Sequence, residues 1–145
     1  MNPDQEAFLA RIKEKPDDEA LRQVYADWLD EHDQPDEANR QREAVGAIQW
    51  LRAFMLRINY YDYDEETYER IPGTAKEGQP HTFQDILDIG QEGLNGEGCF
   101  GTDAGADVFR EGEVSKEEFF RNWSLVTGVP VTETQAEDVY FRCAC

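Results

Sequence analysis

At 145 residues the chain suits one domain, which at this size buries about 68–70% of the surface its unfolded form exposes; 8 Phe, 6 Tyr and 3 Trp supply a core and exclude disorder throughout. A formal net charge of −18, from 14 Lys and Arg against 32 Asp and Glu, excludes electrostatic attraction to phosphate backbones and anionic lipid surfaces. No run of about 18 or more apolar residues occurs, so no membrane-spanning helix is expected.

The opening MNPDQEAF has neither the basic patch nor the apolar stretch of a signal peptide. With three cysteines and no export signal, the expectation is a cytoplasmic protein with reduced thiols. Asn2 followed by Pro3 reads as an N-cap with proline in the first turn, and Phe8, Leu9 and Ile12 mark one face of a helix ending near Lys15. Pro16, Asp17 and Asp18 open a second helix with carboxylates near its positive end. Its apolar residues Leu21, Val24, Tyr25, Trp28 and Leu29 recur at helical spacing, and His32, Asp33 and Gln34 break it. Pro35 starts a third helix, where Ala44, Val45, Ala47, Ile48, Leu51, Phe54, Met55 and Ile58 form a wide apolar stripe. Gly46 inside it predicts close packing against a neighbour or a slight break.

Residues 71 to 81 read as an exposed connection. Thr82 with Asp85 is a variant capping box before a fourth helix that offers Phe83, Ile86, Leu87, Ile89 and Leu94 for burial. The glycine-rich run from residue 95 to 107 predicts turns around a short strand at Cys99 and Phe100. Ser115 with Glu118 is a second capping box, leading into a helix that packs Phe119, Phe120, Trp123, Leu125 and Val126 and stops at Gly128 and Pro130. The tail VYFRCAC reads as a final strand. The expected fold is therefore a single compact domain over 1–145, helix-dominated α+β, with about five helices. A small two-stranded antiparallel element is expected near Cys99–Phe100 and Val139–Cys143.

Within this frame the run PDDEALRQVYADWLDEH, residues 16 to 32, resembles the short bacterial repeat-companion domain. The matching positions are Leu21, Arg22, Val24, Tyr25, Ala26, Asp27, Trp28 and Leu29, with Phe8, Leu9 and Ile12 fitting the preceding helix. The resemblance covers about residues 6 to 42. It implies a small helical module found at the start of many otherwise different bacterial proteins, with no assigned catalytic role, and says nothing about residues 60 to 145; the chain is read as a helical, repeat-companion-like subregion, 1–58, and an acidic α+β subregion, 59–145. Inside the motif, Trp28 is expected in the core, Tyr25 with its ring packed and its hydroxyl bonded or wet, and Asp27 paired with Arg22, Arg40 or Arg42.

Charge is uneven: residues 1–57 hold 13 acidic and 8 basic groups, a balance of −5, and residues 58–145 hold 19 and 6, a balance of −13. A solvated face that maintains solubility is one reading. The functional reading is a non-catalytic accessory subunit that docks another protein with a basic surface, or mimics nucleic acid, through Tyr60, Tyr61, Asp62, Tyr63, Asp64, Glu65, Glu66 and Tyr68. The alternative is a structural zinc protein, with Cys143 and Cys145 joining Cys99 and His81. Free thiols, or a disulfide from Cys99 to Cys143 or Cys145, are the other readings of the same cysteines. A calcium loop is a weaker match: Asp107, Glu111, Gly112, Val114, Ser115 and Glu118 fall on loop positions 1, 5, 6, 8, 9 and 12, but Phe109 occupies position 3, where an oxygen ligand is needed. A tight turn at Gly112 before the Ser115 cap accounts for the same residues. His32 and His81 sit in no catalytic motif, and paired carboxylates are too abundant to single out, so a carboxylate-based enzyme is the remaining alternative.

Overall fold

A computed structural model describes residues 2–58, 66, 82–97, 109, 112 and 114–141. Six helices occur among them: α1 (Pro3–Glu14), α2 (Glu19–Glu31), α3 (Pro35–Ile58), α4 (Phe83–Leu94), α5 (Lys116–Thr127) and α6 (Glu133–Asp138). Local chemistry sets their ends. Asn2, Asp18, Thr82, Ser115 and Thr132 each accept a backbone N–H of the first turn, which satisfies a donor that has no partner inside the helix. Thr82 and Asp85 complete the expected capping box. At Ser115 only half of one forms: its hydroxyl accepts the Glu118 N–H, while the Glu118 carboxylate accepts Trp50 Nε1 at 3.2 Å. Gly128 ends α5 in the left-handed region, φ 76°, as a glycine C-cap does at no steric cost.

The long α3 is the spine. Its first part packs on α2, and Ala38 joins Ile12, Leu21, Tyr25, Ala26 and Leu29 in one apolar cluster. Its later part packs on α5, and Ala47, Ile48, Leu51 and Phe54 join Ile86, Phe119, Phe120 and Trp123 in a second, larger one. Tyr25 matches its expectation, with a buried ring and a hydroxyl that accepts Gln5 Nε2 at 3.1 Å. Three apolar readings change. Val24 is 57% exposed and faces solvent rather than core. Trp28 is only partly buried, one face covered by the His32 ring at 3.9 Å. Gly46 neither touches a neighbour nor breaks α3, since an added Cβ would meet no atom within 4 Å.

The expected two-stranded element is contradicted, because no strand occurs among the described residues. Cys99, Phe100 and the tail beyond Phe141 lie outside those residues, as does the expected connection over 71 to 81. Residues Val139 to Phe141 instead leave α6 as an extended strap, with Val139 and Phe141 buried and Tyr140 73% exposed. The alternation that resembles a strand arises from packing onto helices: Val139 and Phe141 close over Gly93, and the Val139 carbonyl accepts Lys116 Nζ at 2.7 Å rather than a neighbouring backbone N–H. The described fold is thus helical rather than α+β. No helix among the described residues is long and apolar enough to cross a membrane.

Candidate functional site

Of the residues singled out by sequence, Tyr60, Tyr61, Asp62, Tyr63, Asp64, Glu65 and Tyr68 lie outside the described residues, and Glu66 is exposed in a turn. His81, Cys99, Cys143 and Cys145 also lie outside them, and the described residues contain no group of three or more metal-ligating side chains. The calcium frame dissolves into packing and capping where it can be followed. Phe109 stacks on Phe141 at 5.1 Å and meets Phe119 edge-on, so position 3 belongs to the core. Gly112 turns with φ 74° and donates its N–H to the Phe109 carbonyl, Val114 is buried, and Ser115 caps α5. Asp107 and Glu111 lie outside the described residues. His32 stacks on Trp28, and its Nδ1 lies 2.7 Å from the Trp28 carbonyl.

A concentration of carboxylates that the sequence reading passed over surrounds α6. The Thr132 and Gln135 side chains form a reciprocal capping box that starts this six-residue helix, and buried Ala136 and Val139 pack it into the larger apolar cluster with α5. Ala136 is buried beneath it, so the outer side presents Glu133, Glu137 and Asp138, all exposed, and Glu117 of α5 approaches from below. Glu137 is pushed above its ordinary range first by a hydrogen bond with the Glu117 carboxyl, then by the charges of Glu117, Glu133 and Asp138. Glu117 is pulled below its own by a bond from its backbone N–H and by the bond with Glu137. The opposite directions are those of two neighbouring like charges whose titrations influence each other. Lys116 does not neutralise them by contact, since its ammonium donates to the carbonyls of Glu137 and Val139 at 2.5 and 2.7 Å.

Two hollows flank the same helix. One, about 510 Å³, is lined by Gln91, Leu94, Val129, Gln135, Asp138 and Tyr140; the other, about 340 Å³, by Glu117, Arg121, Leu125, Val131 and Glu133 among others. Val129, 42% exposed, and Tyr140 put apolar surface beside the acids. The available sequence signals were the capping residues Thr132 and Gln135 and the acids ETQAED between them and Val139.

A second polar cluster lies where α2 and α3 meet the end of α5. Arg22 is 1% exposed, and its guanidinium donates through Nε to the Pro16 carbonyl, through Nη1 to Gln41 Oε1 and through Nη2 to the Val126 carbonyl, at 2.9 to 3.0 Å. Arg40 donates to the Leu125 carbonyl at 2.7 Å and grips both oxygens of Glu37. Burial, and then the neighbouring charge of Arg40, push Arg22 down to about 10. Cations at the last carbonyls of a helix oppose its negative dipole end, so both arginines cap α5. Of the partners expected for Asp27, Arg42 takes the role at 3.1 Å, while Arg22 points inward.

No family model matches the chain, and comparisons with curated proteins and with solved structures return no match.

Proposed function

We propose that this protein is an acidic accessory subunit that docks a basic surface of another protein, with the α6 face as the described part of the docking surface. The observation that carries the reading is the exposed acidic face of α6, where Glu133, Glu137 and Asp138 lie around buried Ala136 with Glu117 of α5 beside Glu137, so that like charges repel one another. An incoming lysine or arginine relieves that repulsion, so the site gains more from a cation than an isolated carboxylate does. The pattern of internal pairing adds support: Arg22, Arg40, Arg42, Arg52 and Lys116 each bond to groups of the molecule itself, and Arg22 is buried. Exposed Tyr140 and Val129 supply the apolar contact that a purely electrostatic encounter lacks.

In this reading the segment from Tyr60 to Tyr68 belongs to the same docking half, and the helices resembling a repeat-companion module serve as its scaffold. The test uses the full chain and a lysine- and arginine-rich peptide of about 20 residues, a length matched to one side of a standard interface. Binding is expected to weaken at least about tenfold between low salt and about 0.3 M NaCl, because steering between opposite charges is screened. A Glu133→Gln, Glu137→Gln, Asp138→Asn triple variant should lose most of the binding. The variant Asp62→Asn, Asp64→Asn, Glu65→Gln, Glu66→Gln reads the share of the earlier segment. If Asp4→Asn, Glu6→Gln, Glu14→Gln, on α1, weakens the peptide as much as either, the reading is wrong and net charge alone attracts it.

A further inference from the structure

A hollow of about 340 Å³ lies among α1, α2, α3, α4 and α5, and the charged side chains lining it are basic. Lys13, Arg22 and Arg40 line it, together with Gln41 and Gln84, and among the described residues no acidic side chain does. Its remaining wall is apolar, with Ile12, Leu87 and Val126 among the contributors. Arg22 is the unusual member. It is 1% exposed, yet all three of its hydrogen-bond acceptors are neutral: two backbone carbonyls and the Gln41 amide oxygen. The two carboxylates whose charges act on Arg22 are engaged elsewhere: Glu37 by Arg40 and by the Gln41 amide nitrogen at 3.1 Å, and Asp17 by Arg52 at 2.9 Å. A buried guanidinium without a contacting anion bears a desolvation cost that an anion in contact offsets. Arginine carries five N–H donors, so the three bonds of Arg22 leave it capacity for another acceptor.

We propose that this hollow binds a small carboxylate carrying an apolar tail: the carboxylate is held by Arg22, Arg40 and Lys13, and the tail lies against Ile12, Leu87 and Val126. Arg22 and Lys13 select the charged end, Arg40 adds N–H capacity beside its pair with Glu37, and guanidinium groups match the two oxygens of a carboxylate. The apolar wall favours an alkyl acid over a compact, fully hydrated inorganic anion, and the volume is within the range of small-ligand pockets, about 300–1,000 Å³.

The test is titration of the full chain with sodium hexanoate, followed by calorimetry and by the NMR signals of the arginine Nε–H groups, with inorganic phosphate as the comparison. Saturable binding that moves the Arg22 and Arg40 signals is expected, and phosphate should bind at least about tenfold more weakly, since it gains nothing from the apolar wall. Lys13→Gln, at an exposed position where the fold is preserved, should weaken hexanoate about twofold to fivefold. Arg40→Gln should weaken it about tenfold or more, with Arg40→Lys recovering part of the loss. Arg121→Gln, outside the hollow, should leave it unchanged. Hexanoate that does not saturate, or that binds Lys13→Gln and the native chain equally, overturns the assignment, and phosphate binding as tightly as hexanoate overturns the part played by the apolar tail.

Discussion

Two helical glycines show what one missing side chain does in opposite surroundings. At Gly46 on α3 an added Cβ meets nothing within 4 Å, so alanine there removes only the excess backbone freedom that glycine has when unfolded. Gly46→Ala is expected to stabilise the protein by about 0.5–1 kcal/mol, read as a higher urea midpoint at unchanged slope. Gly90 on α4 lies directly under the indole of Trp123, where the same Cβ comes within 2.6 Å of Cδ1. That ring has no room to retreat, because Trp123 is 1% exposed and its Nε1 donates to the Leu87 carbonyl at 2.9 Å. Gly90→Ala should therefore cost about 1–3 kcal/mol, as overpacking of a filled core does. Equal midpoints for the two variants would contradict the packing described for both helices.

Both ends of α5 are held by side chains from other elements. Trp50 of α3 binds Glu118 near its start, and Arg22 and Arg40 hold the carbonyls of Val126 and Leu125 at its end. Glu37 fixes Arg40 for that task, which makes α5 sensitive to pH through a residue on α3. Burial pushes the Glu37 carboxyl up, but hydrogen bonds from Arg40 and Gln41 and the charges of Arg40 and Arg22 outweigh it, so its folded value lies below the ordinary 4.5. A depressed carboxyl contributes stability that is complete above the unfolded value and is lost as pH falls through the folded one. Glu37→Gln should flatten the decline of unfolding free energy below about pH 4.5 and reduce stability most at neutral pH, where the native carboxylate is ionised. A variant as steep in acid as the native chain would remove Glu37 from that role.

The helices α1 to α5 were legible in the sequence because their signals are local: Asn2 with Pro3, Thr82 with Asp85, and Gly128 act within a few residues, whereas the six-residue α6 was not expected. The strap from Val139 to Phe141 was not, since burying alternate side chains against helices gives the same pattern as a strand. Nor was the inward turn of Arg22, whose acceptor is a backbone carbonyl 104 residues away, a group that carries no sequence identity. Of the candidate docking residues only the acidity of the second half was readable; the convergence of Glu117 with Glu137 depends on how α6 folds back on α5.

At the scale of the whole molecule, a single helix runs through two separate apolar clusters, and its length of about 36 Å spans both. The first cluster is small, and below about 40 residues a helical unit rarely holds itself together without further support. Its support here is α3 and the arginine contacts: α1 and α2 cannot open without exposing Arg22, whose removal from Val126 and Gln41 also frees the end of α5. Hydrogen exchange is accordingly expected to give the most protected amides of α2 and α5 the same free energy of opening, within about 0.5 kcal/mol, as parts of one cooperative unit do. The charge of −18 acts on that unit as a whole, so adding about 0.3 M NaCl should raise both values together by screening self-repulsion. In Arg22→Gln, Arg40→Gln the two should separate, with α2 opening first because its cluster is the smaller. A native chain in which α2 already opens at lower free energy than α5 would mean that the two clusters are joined by α3 alone and that the buried arginines do not couple them.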